Sequence, residues 1–290
     1  DNLVKFLRGD RTFEAASTAN GTTRALYRPR AGGVLGDIIN GAPAYVGKPP
    51  FTYSDAGYTS FVVANKDRKP MVYVGANDGM LHAFSAGGTD AGTERWAYVP
   101  SIVMPEMYRL ADTGYESRHR YFVDGAPVIG DIKAGSDWKT ILVGGLNKGG
   151  RGYYALDITD PENPKALWEF TDSNLGLTFG NPIITKRKDG TWVVVFASGY
   201  NNGSDGGGGD GKGRLYVVNA NTGAKVITGD IPTTAGTASD PSGLAKINTW
   251  IDDVSDNTSK RFYGGDLQGN LWRFDIDNLV LPNQGALLLA

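Results

Sequence analysis

Short apolar runs separated by glycine-rich turns recur four times along the chain. In the first copy Met71-Val-Tyr-Val-Gly75 is followed by the turn Ala76-Asn-Asp-Gly79 and by Met80-Leu-His-Ala-Phe84. The other copies span residues 140–157, 193–219 and 261–275. β-Branched and aromatic residues favour strands, and Asn-Asp-Gly or Gln-Gly favours a tight turn. Each copy therefore predicts an antiparallel hairpin.

A further strand is predicted before each hairpin, and another after most of them. The upstream strands are predicted at 42–46, 126–129, 181–184 and 244–247, and the downstream strands at 94–98, 166–170 and 224–227. Three upstream strands carry a proline near the start, where the missing N–H does little harm. Four antiparallel strands repeated in series are typical of a propeller blade. The fixed order of the elements argues against the alternative, a β-sandwich with accidental similarity.

The predicted fold is all-β, a modified β-propeller of four-stranded antiparallel blades with long loop insertions and a short N-terminal helix. We expect one domain over residues 1–290, with blade-like modules near 41–100, 125–172, 180–228 and 243–277. The i, i+3, i+4 spacing of Leu3, Phe6 and Leu7 predicts the helix. Long inserts are expected at 48–66, 101–120, 200–213 and 229–242, and they are the expected contact surfaces.

Composition narrows the classes of function. With 29 basic and 31 acidic residues the net charge is −2, so no basic excess indicates a nucleic-acid partner. The absence of Cys excludes disulfides, thiolate metal sites and a cysteine nucleophile. The sequence contains no apolar run of about 18 residues, so it predicts no transmembrane segment. The chain opens on Asp1-Asn2 rather than Met, which predicts a fragment of a longer or processed protein.

The residues that could carry catalysis are sparse. Only two histidines exist, His82 in a predicted strand and His119 in Arg118-His-Arg-Tyr121, and each is interpreted as structural or surface. No Gly-x-Ser-x-Gly elbow and no P-loop occur. We therefore predict no catalytic residues and a non-enzymatic role. The alternative is a periplasmic quinoprotein (PQQ-type) dehydrogenase propeller, weakly indicated by Thr93-Glu-Arg-Trp96 and Asn221-Thr-Gly-Ala224.

One acidic loop has some features of a calcium site. Calcium requires several oxygen ligands on a sharp turn, usually from alternating Asp or Asn residues. The candidate metal ligands are Asp252, Asp253, Asp256 and Asn257, which lie between two predicted strands. The alternation is broken at Val254, and Lys260 stands where a closing carboxylate would be useful. The pattern thus predicts a degenerate calcium loop, in which Val254 and Lys260 argue against bound calcium.

A second candidate is the tripeptide Arg8-Gly9-Asp10, which matches an integrin-type adhesion motif. A motif of only three residues often occurs in a sequence by chance. The alternative interpretation is a turn that follows the N-terminal helix.

Several longer phrases resemble the C-terminal domain of the PilC/PilY family. They include Val34-Leu-Gly-Asp-Ile-Ile-Asn40, Pro70-Met-Val-Tyr-Val-Gly-Ala-Asn-Asp-Gly-Met-Leu-His-Ala-Phe84, His119-Arg-Tyr-Phe-Val-Asp-Gly125 and Tyr263-Gly-Gly-Asp-Leu-Gln-Gly-Asn-Leu-Trp-Arg-Phe274, and the matches run in order from about residue 3 to 277. The resemblance implies a modified β-propeller in a type IV pilus tip adhesin and biogenesis factor. Its implied roles are pilus assembly, opposition to retraction, attachment to surfaces or host cells, and twitching motility.

The resemblance also implies partners and a location. The partners would be minor pilins and the pilus tip, together with a host-cell or abiotic surface receptor that the sequence does not name. The location would be extracytoplasmic, at the pilus tip, cell surface or outer membrane of a Gram-negative bacterium.

The family's calcium loop has the form Asp-x-Asp-x-Asp-Gly-x-x-Asp before a Tyr-x-Gly-Asp-Leu phrase. Counting back from Tyr263, its positions fall on Asp252, Val254, Asp256, Asn257 and Lys260. Two carboxylates are retained and two are lost. We expect the Lys260 ammonium to take the place of the cation and to neutralise Asp252 and Asp256.

The two ends of the chain can also be compared with the family's domain. Leu7-Arg8-Gly9-Asp10 matches a phrase near the start of the family's domain, for which integrin binding has been proposed. The family's domain continues well past the Gly-Asn-Leu-Trp phrase, whereas this chain stops at Ala290. We therefore expect either a fragment or a ring that another polypeptide completes.

Overall fold

The structure, a computed structural model, describes residues 1–15, 25–227, 230–278 and 282–290. These residues contain sixteen strands in four antiparallel sheets of four strands each, and the spatial order of the strands in every sheet follows their order in sequence. The predicted all-β propeller architecture of four-stranded blades is thus confirmed. We number the sheets blade 1 to blade 4 along the chain.

The strand bounds are as follows. Blade 1 contains β1 (Ala44–Val46), β2 (Met71–Gly75), β3 (Leu81–Ser85) and β4 (Glu94–Tyr98), and blade 2 contains β5 (Val128–Ala134), β6 (Asp137–Gly145), β7 (Tyr153–Asp157) and β8 (Lys165–Phe170). Blade 3 contains β9 (Ile183–Lys186), β10 (Trp192–Ala197), β11 (Arg214–Asn219) and β12 (Ile231–Pro232), and blade 4 contains β13 (Ile247–Ile251), β14 (Ser259–Gly265), β15 (Leu271–Phe274) and β16 (Ala286–Leu288).

Helices are short and few among the described residues. The predicted N-terminal helix is confirmed as α1 (Asn2–Leu7), and α2 (Tyr58–Ala64) lies in the long connection between β1 and β2. Turns of 3₁₀ helix occur at Met104–Ala111, Tyr115–Ser117 and Ser204–Gly206.

Proline fixes where three of the inner strands begin. Pro43, Pro127 and Pro182 each stand immediately before the first residue of β1, β5 and β9. Proline has no N–H to donate to a ladder, so these strands begin one residue later than the proline. The predicted strands at 42–46, 126–129 and 181–184 therefore each begin two residues too early.

Two predicted strands were wrong. Residues 244–246 precede β13 and are not part of it. The carbonyl of Leu244 accepts the N–H of Gly199 in blade 3 at 2.8 Å, so it does not bond to a strand of blade 4. Residues 224–227 form only a bridge between Lys225 and Val218, and the outer strand of blade 3 is β12. The sequence also missed β16, the outer strand of blade 4. Residue 229, at the start of the last predicted insert, lies outside the described residues.

Alternation of side chains lets the middle blades pack on both faces. Successive residues of a strand point to opposite faces. In β10, Val194 and Phe196 face blade 2, whereas Val193 and Val195 face blade 4. All six residues of β10 are therefore buried. Three apolar layers result, one between each pair of consecutive blades.

The connection between β1 and β2, residues 47–70, crosses from blade 1 to the other blades. We call it the insert; it contains the predicted insert at 48–66. It lies at the same end of the sheets as the tips of the β5–β6, β9–β10 and β13–β14 hairpins, because its side chains contact Trp138, Trp192 and Asn257.

Glycine at the end of β2 allows close packing against the next blade. A Cβ on Gly75 would lie 2.5 Å from the carbonyl oxygen of Val123, which belongs to the segment leading into blade 2. Gly265 holds the equivalent register position in blade 4, since Gly75 pairs with Leu81 and Gly265 with Leu271. A Cβ there would meet nothing closer than 3.9 Å.

This difference predicts unequal effects of the same substitution. Gly75→Ala should lower the free energy of unfolding by about 1–3 kcal/mol, because the added methyl group forces backbone to move in a packed region. Gly265→Ala should leave stability nearly unchanged. Urea unfolding monitored by fluorescence compares the two. Equal losses in both variants would show that close packing at Gly75 does not matter.

Candidate functional site at the blade 4 loop

The predicted calcium loop forms the tip of the β13–β14 hairpin. We call residues 252–258 the blade 4 loop. Asn257, at the position of the expected glycine, has φ 56°, a left-handed conformation that Asn adopts more readily than most residues. Its carbonyl accepts the N–H of Lys186 at 3.0 Å and the hydroxyl of Thr185 at 2.7 Å. The loop is therefore joined to the end of β9 in blade 3.

The carboxylates of the loop turn to different partners. Asp252 contacts the Lys260 ammonium at 2.5 Å and accepts the indole N–H of Trp250 at 2.9 Å. The hydrogen bond from Lys260 lowers the pKa of Asp252 below its usual range. Asp253 instead accepts the N–H and hydroxyl of Ser255 at 2.8 and 2.7 Å. These two predicted ligands therefore do not converge.

Asp256 is paired with a lysine that the sequence analysis did not identify. The Lys186 ammonium lies 2.9 Å from Asp256 and 2.9 Å from Asp55 of the insert. Lys260 thus neutralises Asp252 only, and the expectation that it also neutralises Asp256 was wrong. Spacing alone could not have identified Lys186, which lies 70 residues from Asp256 and reaches it through a parallel bridge to Thr258.

Lys186 is a buried cation whose charge is balanced within the fold. Only 6% of its side chain is exposed, and its ammonium also lies 5.8 Å from the Trp192 ring. Burial lowers the pKa of Lys186, but the hydrogen bonds and charges of Asp256 and Asp55 raise it further than burial lowers it. Lys186 is therefore a permanent positive charge that joins the insert, blade 3 and blade 4.

Aromatic stacking holds the insert at the same place. The ring centroid of Tyr53 lies 5.9 Å from that of Trp138 in blade 2 and 5.1 Å from that of Trp192 in blade 3. The hydroxyl of Tyr58 donates to the buried carboxylate of Asp131 at 2.7 Å. The N–H of Ser54 donates to a blade 4 loop carbonyl, that of Ser255, at 2.9 Å. One segment thus contacts the other three blades.

These contacts leave no converging ligand set for a metal. Among residues 1–15, 25–227, 230–278 and 282–290, no group of three or more His, Asp or Glu is placed to hold a metal ion. The carboxylates of Asp252 and Asp256 each have an ammonium partner instead. The arrangement can act as a charge-balanced joint between blades.

The Arg8-Gly9-Asp10 tripeptide is a turn at the end of α1. Gly9 has φ 97°, which favours glycine, and the Asp10 carboxylate accepts the Thr12 N–H at 2.8 Å. A buried guanidinium, that of Arg30, donates to the carbonyls of Phe6 and Asp10 at 2.8 and 2.9 Å. The turn is therefore held by a buried cation, while the Arg8 side chain is exposed.

Both histidines contact carboxylates. His119 lies 2.9 Å from Asp37, and His82 is buried between Asp78 and Glu94 at 3.1 and 2.6 Å. Such pairs fix the position of the imidazole rings. Among the described residues, the side-chain partners of both rings are carboxylates, and no hydroxyl nucleophile is bonded to either ring.

Sheets of four antiparallel strands, arranged in series and packed face to face, define a β-propeller protein. Residues 35–284 match the model of the PilY1 beta-propeller domain, and the chain therefore belongs to the PilY1 β-propeller family. Within the described residues no helix has the length and apolar character required to cross a membrane.

Curated relatives and a solved structure agree with this family. The chain is 42% identical over 94% of its length to the type IV pilus biogenesis factor PilY1 of Pseudomonas aeruginosa strain PAK, and 38% identical over 93% to a PilY1 homolog of Xylella fastidiosa. It spans about a fifth of the length of these relatives, 22% and 21%. The crystal structure of the P. aeruginosa PilY1 C-terminal domain aligns with TM-score 0.62 and 38% identity, covering 80% of this chain and 45% of that one.

The Lys186 joint predicts a specific loss of stability. Lys186→Met keeps an unbranched side chain but leaves Asp55 and Asp256 without their cation. Removing one partner of a buried pair costs about 3–5 kcal/mol. Asp256 is 48% exposed, so solvent should reduce the loss to about 1–3 kcal/mol. Chemical unfolding of the purified chain measures it.

Lys188→Met is the matched control, because Lys188 is exposed and lines the same cleft. It should unfold like the wild type. Equal losses of stability in Lys186→Met and Lys188→Met would contradict the joint.

Calcium should have no effect on the stability of the wild type. The wild type should unfold at the same temperature in millimolar calcium and in EGTA, because lysines already neutralise Asp252 and Asp256. A rise in the unfolding temperature with calcium would contradict neutralisation by lysine.

Proposed function

We propose that this chain is a non-enzymatic propeller module of a type IV pilus biogenesis factor that supports pilus assembly. The observation that carries the proposal is the 42% identity over 94% of the chain to a protein of that name. Because the chain spans about a fifth of that relative, the activity of the whole protein is inferred for this module only as one of its parts.

We propose that the module acts at the pilus tip, with minor pilins as partners, and that it opposes retraction and supports twitching motility. Its location would be extracytoplasmic, on the pilus, the cell surface or the outer membrane. The supporting observation is that the relatives are pilus biogenesis factors. Blades joined by the insert would let such a module bear load as one unit.

Attachment to surfaces or host cells is a further part of the proposal, with a receptor that is unknown. Arg8 is exposed and available for contact. Recognition of Arg8-Gly9-Asp10 by an integrin-type receptor would compete with the bond between the Asp10 carboxylate and the Thr12 N–H. Adhesion through this motif would therefore require the turn to rearrange.

We propose that the blade 4 loop functions without calcium. In support, Lys260 pairs with Asp252, and Lys186 pairs with Asp256 and Asp55. These ammonium groups supply positive charge that a divalent cation would otherwise supply. The comparison of calcium with EGTA described for the Lys186 joint tests this proposal.

A quinoprotein dehydrogenase is not favoured as an alternative. The family match and the curated relatives concern pilus biogenesis. The two phrases that suggested it have local roles: the Trp96 indole donates to the carbonyl of Pro161 at 2.8 Å, and Asn221 accepts a bond from Lys139 at 3.0 Å. Dye-linked dehydrogenase activity after reconstitution with quinone would reverse this conclusion.

Deletion of the full-length gene in the native bacterium tests the proposed function. We expect loss of surface pili and of twitching, both restored by the wild-type gene on a plasmid. Pili, but not twitching, should also return when the retraction motor is disabled, because the proposed role opposes retraction. Electron microscopy and a twitching assay give the readouts. Normal pili and normal twitching in the deletion strain would refute the proposal.

A further inference from the structure

A groove of about 670 Å³ lies on the outer face of blade 1, away from blade 2. The groove's floor is largely apolar, with Val34, Met80 and Phe84 among its lining residues. Two of its wall residues, Arg8 and Gly9, belong to the turn at the end of α1. We call this the blade 1 groove. One wall carries Asp78, His82 and Glu94, and Arg8 and Arg95 also line the groove.

Each ring nitrogen of His82 faces a different carboxylate. Nδ1 lies 2.6 Å from Glu94 Oε1, and Nε2 lies 3.1 Å from both oxygens of Asp78. Ionised carboxylates only accept hydrogen bonds. Asp78 also accepts the N–H groups of Gly36 and Met80 at 2.8 and 3.2 Å. The two ring nitrogens therefore face one carboxylate each, and both can donate at once only when the ring is protonated.

The two carboxylates are not held equally. Asp78 has backbone donors besides the histidine, and its side chain is 16% exposed. Glu94 is 47% exposed, and His82 is the partner that holds it. A neutral imidazole has one N–H, so it can donate to only one of the two carboxylates. We expect it to remain with Asp78, which backbone N–H groups hold beside the ring. Glu94 then loses its donor and can turn into solvent.

We propose that Asp78, His82 and Glu94 form a pH-sensitive switch in the blade 1 groove: protonated His82 holds Glu94 on the groove wall, and deprotonation releases it. Deprotonation also removes one positive charge from the groove that Arg8 lines, and the departure of Glu94 opens the wall. The other charged group in the groove, Arg95, is paired with Asp90 and Glu162 at 3.3 and 2.7 Å, outside the His82 contact.

The direction of the pH dependence follows from the carboxylates. Burial lowers the pKa of His82, but hydrogen bonds and charges from Asp78 and Glu94 raise it further, so the pKa lies above the ordinary value of 6.5. The contact with Glu94 is therefore fully formed below pH 6.5. It is lost as the pH rises through the higher pKa of the folded chain.

NMR titration of the imidazole tests the switch. His119→Asn leaves His82 as the single histidine, since the chain has two. We expect His82 to titrate above its ordinary pKa, and Glu94→Gln to shift that pKa downward. Glu116→Gln, which removes an exposed carboxylate outside the groove, should leave it unchanged. If His119→Asn fails to fold, the wild-type chain serves, because Glu94→Gln identifies the signal of His82.

Methionine methyl signals report whether the wall moves. Met80 lines the groove and packs at the edge of the apolar layer between blades 1 and 2, whereas Met71 is fully buried inside that layer. The Met80 methyl shift should follow the titration of His82 and change less in Glu94→Gln, where no charged side chain is released, while Met71 stays constant. Titration of His82 at or below its ordinary pKa, no response to Glu94→Gln, or a constant Met80 signal would each overturn the proposal.

Discussion

The packing of Tyr53 against the indoles of Trp138 and Trp192, whose centroids lie 5.7 Å apart, is the contact on which the arrangement of the blades most depends. Aromatic pairs at this distance add about 0.5–1.5 kcal/mol beyond the burial of apolar area. The contact is long-range, because the insert leaves blade 1 and returns to it. Around the rings, the Lys186 ammonium adds a charged link to blade 4. Stacking and charge thus act on the same few residues at one end of the sheets.

The apolar layers and the insert perform different tasks. Each layer joins two consecutive blades through alternating strand residues, so it fixes only neighbours. The insert contacts blades 2, 3 and 4 at once. The buried carboxylate of Asp131 anchors it through the hydroxyl of Tyr58, and burial raises the pKa of Asp131. Arg68 of the insert donates to the Thr140 hydroxyl of blade 2 at 2.7 Å. The joint is therefore built from both charged and neutral donors.

Much of the fold could be predicted from the sequence, because hairpins are local. The Asn-Asp-Gly turn and its flanking apolar runs lie within a few residues of one another, so their pattern shows the strands directly. The outer strand β16 was missed because three residues at the end of a loop carry little periodicity. Leu244 was misassigned because its side chain fills the apolar layer between blades 3 and 4 while its carbonyl is bonded to Gly199 rather than to a strand of blade 4.

The site was harder to predict than the fold. Asp252, Asp256 and Lys260 could be found from the spacing of the loop, but the pairing of their charges could not. Lys186 belongs to another blade, and Asp55 lies more than a hundred residues earlier. Nothing in either local sequence indicates the contact. Charge pairs between elements become visible only once the blades are placed side by side.

Amide hydrogen exchange of the Tyr53→Ala variant tests the central claim most directly, with Tyr45→Ala as control because the Tyr45 side chain is 67% exposed on β1. If the insert holds the blades together, Tyr53→Ala should speed exchange at the β5–β6, β9–β10 and β13–β14 hairpin ends together. Tyr45→Ala should affect blade 1 alone. Faster exchange confined to the insert itself would contradict the account.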